Sequence, residues 1–160
     1  MMNRRSIDEW KKAHEAQRIH LDIPGKPLGK SRPRVTRRGI TYTPKATAER
    51  EQLVRTVFLE TYRYACPFTC ALRVSIEAVY PVPVSASKAK RTDMMAGKII
   101  PTVRPDVDNV AKLILDALNK TAYADDSQIV SLTVSKRYAY ENELPHTVID
   151  LAPFRSESKT

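Results

Sequence analysis

From Ile19 onward, apolar and polar positions fall into spacings that mark successive strands and helices. Ile19, Leu21 and Ile23 alternate with His20 and Asp22, a half-buried strand closed by Pro24-Gly25. Thr43-Pro44 puts an N-cap residue before a first-turn proline. Leu53, Val54, Val57, Phe58 and Tyr62 then form one stripe, predicting a helix to about Tyr64 or Ala65 that Pro67 ends. Leu72, Val74, Ile76, Ala78 and Tyr80 alternate with Arg73, Ser75 and Glu77 as the clearest strand, stopped by Pro81 and Pro83. A second helix runs from Val107 to Leu118 behind an Asp106 N-cap, with Asn119 as C-cap. Its buried stripe is Val110, Leu113, Ile114, Ala117 and Leu118. Val130, Leu132 and Val134 alternate with serine and threonine as a third strand. Glu141-Asn142-Glu143 marks a hairpin turn, and Thr147, Ile149 and Leu151 make the fourth strand. The order β-α-β-α-β-β predicts an α+β fold, a small mixed sheet of about four strands with two long helices packed on one face.

Three segments lie outside that pattern. Ser6-x-x-Glu9 is a capping box, so residues 1–18 read as an extension with a short helix bearing Trp10, Ala13, His14 and Gln17. Residues 19–152 form the domain, and 153–160 a tail that frays from Phe154. Residues 84–105 are a long connection, with Ser85 or Ser87 capping a short helix through Met95 and Gly97 ending it. A chain of 160 residues is one domain by length and needs no disulfide for a core. Cys66 and Cys70 have no His or Cys partner nearby in sequence, which argues against zinc. With no apolar run approaching a membrane span and no leader-like segment, the protein is expected in the cytoplasm, off the membrane.

Charge adds direction to this picture. The net charge is +9, and residues 1–50 alone hold 13 Lys/Arg against 5 Asp/Glu. The excess is an arm or face suited to a polyanion. Within it, Lys26, Lys30, Arg32, Arg34, Arg37 and Arg38 fall in one stretch with no acid and with prolines that keep it extended, as a phosphate-tracking loop requires. Lys45, Arg50, Arg55 and Arg63 lie off the first helix's core stripe and can widen the basic face. The long connection adds Lys88, Lys90, Arg91, Lys98 and Arg104, and reads as a flap over nucleic acid.

Against this background stands an acidic cluster. Asp106 and Asp108 open the second helix, Lys112 and Asp116 continue the face of Asp108 at four-residue steps, and Asp125-Asp126 precede the third strand. Singly, an Asp at a helix start is ordinary capping and Asp108–Lys112 an ordinary surface ion pair. Together they supply three or four hard oxygen ligands, the chemistry Mg²⁺ prefers. An EF-hand is excluded, because the position that needs its terminal Glu is Ala117.

The pattern Pro105-Asp-Val-Asp-Asn-Val-x-Lys112-x-x-Leu-Asp116-Ala-Leu-Asn119, followed by Asp125-Asp-Ser-Gln-Ile-Val130, resembles the RusA family of Holliday junction resolvases. The likeness in order of elements runs from about Ile19 to Leu151. It implies a homodimeric, Mg²⁺-dependent endodeoxyribonuclease, with Mn²⁺ as a substitute, that resolves four-way junctions by paired symmetric nicks. It also implies that Asp106, Asp108 and Asp126 are the catalytic metal-binding carboxylates, Asp125 an auxiliary ligand, and Lys112 the catalytic cation beside them. Two other readings compete: a nonenzymatic DNA-binding accessory protein, and a flap or branched-DNA nuclease without junction preference. One geometric question accompanies the assignment. The second helix carries the chain roughly 18 Å from Asp106. Either residues 119–125 run straight back, or Asp125 and Asp126 complete a site that begins on a second subunit.

Overall fold

The structure, a computed structural model, describes residues 17–63 and 67–155. The predicted N-terminal helix and the last five tail residues lie outside these.

The first strand, β1 (Ile19–Pro24), leads through an extended basic loop into a small hairpin, β2 (Arg34–Val35) and β3 (Thr41–Tyr42). Helix α1 (Lys45–Thr61) follows, then β4 (Leu72–Tyr80), the short α2 (Lys88–Met95) and α3 (Val107–Leu118). A 3-10 turn, Asp126–Gln128, enters β5 (Ile129–Tyr138), and β6 (His146–Pro153) closes the fold. The main sheet has the order β1-β6-β4-β5. Strand β4 pairs antiparallel with β6 and parallel with β5, so the sheet is mixed. This is the expected α+β architecture. Helix α1 begins one residue after the predicted position, with Pro44 at its N-cap, and Ser87 is the residue that caps α2. The β2–β3 hairpin is an addition: two-residue strands, exposed throughout, carry no hydrophobic alternation to announce them.

The core lies between the helices and one sheet face. Ile19, Leu21 and Ile23 of β1, alternate residues of β4 and Ile149 and Leu151 of β6 point into it. Val54 and Phe58 of α1 and the predicted stripe of α3 meet them there. The opposite sheet face carries polar side chains, among them His20, Arg73, Ser75 and Asp150.

One cation expected on the basic face is instead structural. Arg50 is 8% exposed, and its guanidinium donates to the carbonyls of Pro24 and Gly25 at the end of β1. Burial pushes its pKa down, and no carboxylate pairs with it among the described residues.

The β5–β6 turn is held by a second arginine. Arg137 Nη1 and Nη2 donate to the two oxygens of Glu143 at 2.6 and 2.8 Å, and its Nε lies 3.0 Å from Glu77. Hydrogen bonds from Arg137, helped by the Tyr140 amide, outweigh desolvation and hold the Glu143 carboxyl at about 2. A depressed carboxyl stabilises the fold fully above its ordinary value of 4.5, and that contribution is lost as pH falls toward 2. It is worth on the order of 1–3 kcal/mol. Glu143→Gln is therefore expected to lower unfolding free energy at neutral pH and to flatten its decline on acidification. Denaturant titrations across acid pH check this, and parallel curves for the two proteins would contradict it.

Candidate nuclease site

Helix α3 positions the first half of the site. Its apolar stripe is buried, which turns Asp108, Lys112 and Asp116 outward as the spacing predicts. Asp106 occupies the N-cap position, but its side chain makes no capping hydrogen bond. Both Asp106 and Asp108 are exposed, and neither has an ion-pair partner among the described residues. The ordinary roles for these residues, capping and the Asp108–Lys112 pair, are thus not the ones taken. Lys112 Nζ lies 3.5 Å from Asp116 instead.

The basic loop packs directly against this helix entrance. The Lys30 amide donates to the Asn109 carbonyl at 2.8 Å. Lys26, Arg32, Arg104 and Asp106 line one groove of about 730 Å³ with the loop backbone as its wall. Close approach requires Gly29: a Cβ there would sit 2.6 Å from Pro105 Cβ and 3.0 Å from Asn109 Cβ. Gly29→Ala is expected to push the loop off α3 at a cost of about 1–3 kcal/mol in unfolding free energy. A denaturation midpoint equal to the wild type would show that the loop does not need this contact.

Lys30 has a structural role within the loop. Its ammonium bridges Glu51 of α1 and Asp116 of α3, the latter at 3.0 Å, and is only 21% exposed. Burial works against its charge, but the hydrogen bonds to the two carboxylates outweigh it and raise the pKa. Lys30 anchors the loop to both helices, and it also lines the groove with Lys26, Arg32 and Arg104. Arg34, Arg37 and Arg38 lie on or beside the β2–β3 hairpin, and Lys88, Lys90 and Arg91 lie on α2; all six are exposed. Lys136, which the sequence pattern passes over as a strand residue, donates to the Val103 carbonyl at 2.6 Å and lies over the Tyr80 ring. It adds a cation at the Asp106 end of the sheet.

Asp125 and Asp126 are placed differently from each other and from Asp106. Asp125 is the cap of the 3-10 turn: its carboxylate accepts from the Ser127 amide at 3.2 Å and from the Ser127 hydroxyl. Those bonds lower its pKa. Gln128 completes the capping box by accepting from the Asp125 and Ala124 amides, and it donates to the Phe68 and Cys70 carbonyls. The Asp126 side chain, by contrast, makes no hydrogen bond in this network and is exposed.

After α3 the chain reverses tightly, with the amides of Thr121 and Ala122 bonded to the Leu118 carbonyl. It does not run back to the helix start. Two tyrosines report the consequence. The Tyr80 hydroxyl, at the end of β4, faces the Pro105 carbonyl at 3.5 Å; burial first and then the Asp106 charge raise its pKa. The Tyr123 hydroxyl donates to the Leu115 carbonyl at 2.7 Å; burial first, then Asp126 and Asp116, raise its pKa. Asp126 therefore shares a neighbourhood with Asp116, and β5 starts opposite Leu72, the far end of β4 from Tyr80. Nine strand residues separate the two ends by roughly 26 Å. Accordingly, no group of three or more His, Cys, Asp or Glu side chains close enough to hold a metal ion occurs among the described residues.

Residues 24–151 match the family model described as Endodeoxyribonuclease RusA. The chain belongs to the RusA endodeoxyribonuclease family. It is also 35% identical over 127 residues, 77% of this chain and 89% of the other, to the uncharacterized protein YqaN of Bacillus subtilis (strain 168). The RusA match runs from the last residue of β1 into β6 and takes in the basic loop, α3 and both aspartate pairs. Among the described residues no helix is long and apolar enough to cross a membrane.

Proposed function

We propose that this RusA-family chain is a metal-dependent endonuclease that resolves four-way DNA junctions by paired nicks, with each active site assembled from two copies of the chain. The observation that carries the reading is the pair of exposed and unpaired carboxylates at the start of α3: Asp106, which lines a groove with Lys26, Arg32 and Arg104, and Asp108 in the first helical turn. Leaving two like charges adjacent costs stability, and only part is recovered from the helix dipole. A hard divalent cation fits that donor set.

Asp106 and Asp108, joined by Asp126, would hold Mg²⁺ or Mn²⁺, which when bound supplies water activation and charge neutralisation at the scissile phosphate. Lys112 stands one helical turn from Asp108 and offers an ammonium to the leaving oxygen. Lys26, Arg32 and Arg104 bind the flanking phosphates that the carboxylates alone would repel. Asp125 shapes the turn that presents Asp126 and acts in support of it.

The separation of Asp106 from Asp126 favours assembly across a dimer. Strand β5 is a sheet edge, with Val130 and Leu132 exposed on it, and Val103 and Val107 are exposed beside the start of α3. An unpaired edge bearing apolar side chains is a natural self-association surface. Two β5 edges related by a two-fold axis run antiparallel, bringing the Asp106 end of one copy to the Asp126 end of the other. Two equivalent sites result, suited to two like strands of a junction. Comparing four-way junction, flap and linear duplex substrates tests the substrate class: preference for the junction with symmetric nicks is expected, and equal cleavage of flaps would support the broader branched-DNA nuclease.

A further inference from the structure

On the polar face of the sheet, away from both helices, Arg18, Arg73 and Arg155 converge with Ser75 on a trough of about 450 Å³ floored by Ala152 and Pro153. The sheet builds it: Arg73 pairs with Ala152 and Ser75 with Asp150 across β4 and β6, and Asp150 pairs with His20 across β6 and β1. The trough also contains one carboxylate, Asp150, already engaged by His20 Nδ1 at 2.7 Å. Among the described residues none of the three arginines has an ion-pair partner. Arg73 is held over the Phe154 ring at 5.3 Å, and the Phe154 amide donates a hydrogen bond to the Ala71 carbonyl at 2.8 Å.

We infer that this trough binds the phosphate backbone of a DNA arm outside the cleavage site. All three cations are arginines, whose planar forks grip phosphate oxygens in pairs, and the Ser75 hydroxyl is a further donor. The trough is only half enclosed and its lining about half polar, where a pocket for a small molecule would be enclosed and mostly apolar. Its position fits as well. Arg73 adjoins Leu72, the β4 residue opposite the start of β5, so the trough lies at the Asp126 end of the sheet. An arm leaving a site that includes Asp126 would reach it within a few phosphates. The inference rests on the nuclease reading and adds a second contact surface to it, with none of the basic-loop or α2 cations involved.

The test uses the full chain with Arg18→Gln, Arg73→Gln and Arg155→Gln, singly and together, after thermal melts confirm an unchanged fold. Binding to a four-way junction and to linear duplex is measured in EDTA over a salt series. The triple variant is expected to bind roughly tenfold more weakly at moderate salt, with the slope of log affinity against log salt smaller by about 1–3. Each single variant should lose up to about one. Nick positions and the single-turnover rate at saturating protein should match the wild type. Wild-type affinity and slope in the triple variant would overturn the inference and leave the nuclease reading standing. A wild-type protein that binds neither DNA would overturn both. Binding of AMP or inorganic phosphate that is lost in the triple variant, with DNA affinity unaltered, would also overturn it in favour of a small-anion site.

Discussion

Asp108→Asn is expected to lower the single-turnover rate of DNA nicking by at least on the order of a thousandfold, about 4 kcal/mol of transition-state stabilisation, while junction affinity is retained or increased. Asp108 is exposed, in the first turn of α3, outside the buried stripe, and it bonds no neighbour that holds the fold. Its replacement by an isosteric amide removes a charge that costs stability in the free protein and repels DNA. A fall in melting temperature would therefore be unexpected, and a gain is the anticipated direction. Asp106→Asn should behave alike, because its carboxylate makes no cap bond to lose. The control is Asp116→Asn. Asp116 anchors both Lys30 and Lys112, so its loss should lower stability by loosening the basic loop from α3. Gel-resolved nicking under single-turnover conditions, with melting curves on the same preparations, separates the two behaviours. Wild-type nicking by Asp108→Asn would remove the acidic pair from the chemistry.

The second large effect concerns two inactive proteins. If each site joins Asp106 and Asp108 of one copy to Asp126 of the other, mixing Asp108→Asn with Asp126→Asn generates dimers with one site doubly defective and one wholly intact. Random exchange would return roughly a quarter of wild-type nicking, since about half the dimers are mixed and each carries one of two sites. Those mixed dimers would cut a single strand per binding event. Were Asp126 to serve the Asp106 of its own copy, every site in the mixture would carry a defect and the mixture would stay inactive. The roughly 26 Å strand between the two ends makes recovery the expected result.

The elements that sequence pattern reveals are those whose burial is one-sided. Helix α3 announces itself because its stripe faces the core and its charges face out, and β4 because alternate residues do the same on a sheet covered on one face. What pattern hides depends on partners remote in the chain. Lys30 and Arg50 look like surface cations until Glu51 and Asp116, or the Pro24 and Gly25 carbonyls, are brought to them by folding. The β2–β3 hairpin turns at Gly39 with a φ of +76°, but its strands bury nothing and so leave no period. For Asp125 the signal does exist: Asp125-x-x-Gln128 has capping-box spacing, and the turn uses it. That spacing separates Asp125 from Asp126, which a reading of the pair as two acids does not. The chain's return after α3 illustrates a limit of counting residues. Residues 119–125 are long enough to reach Asp106 if extended, yet the buried Tyr123 pins them beside Leu115.

The most direct measurement is incubation of the purified wild-type protein with an end-labelled four-way junction, in Mg²⁺ and in EDTA. Paired nicks at symmetric positions on two opposed strands, present with Mg²⁺ and absent with EDTA, are the predicted result. Tight junction binding with no nicks in either Mg²⁺ or Mn²⁺ would contradict the account and make the chain a DNA-binding accessory protein whose aspartates serve only its fold.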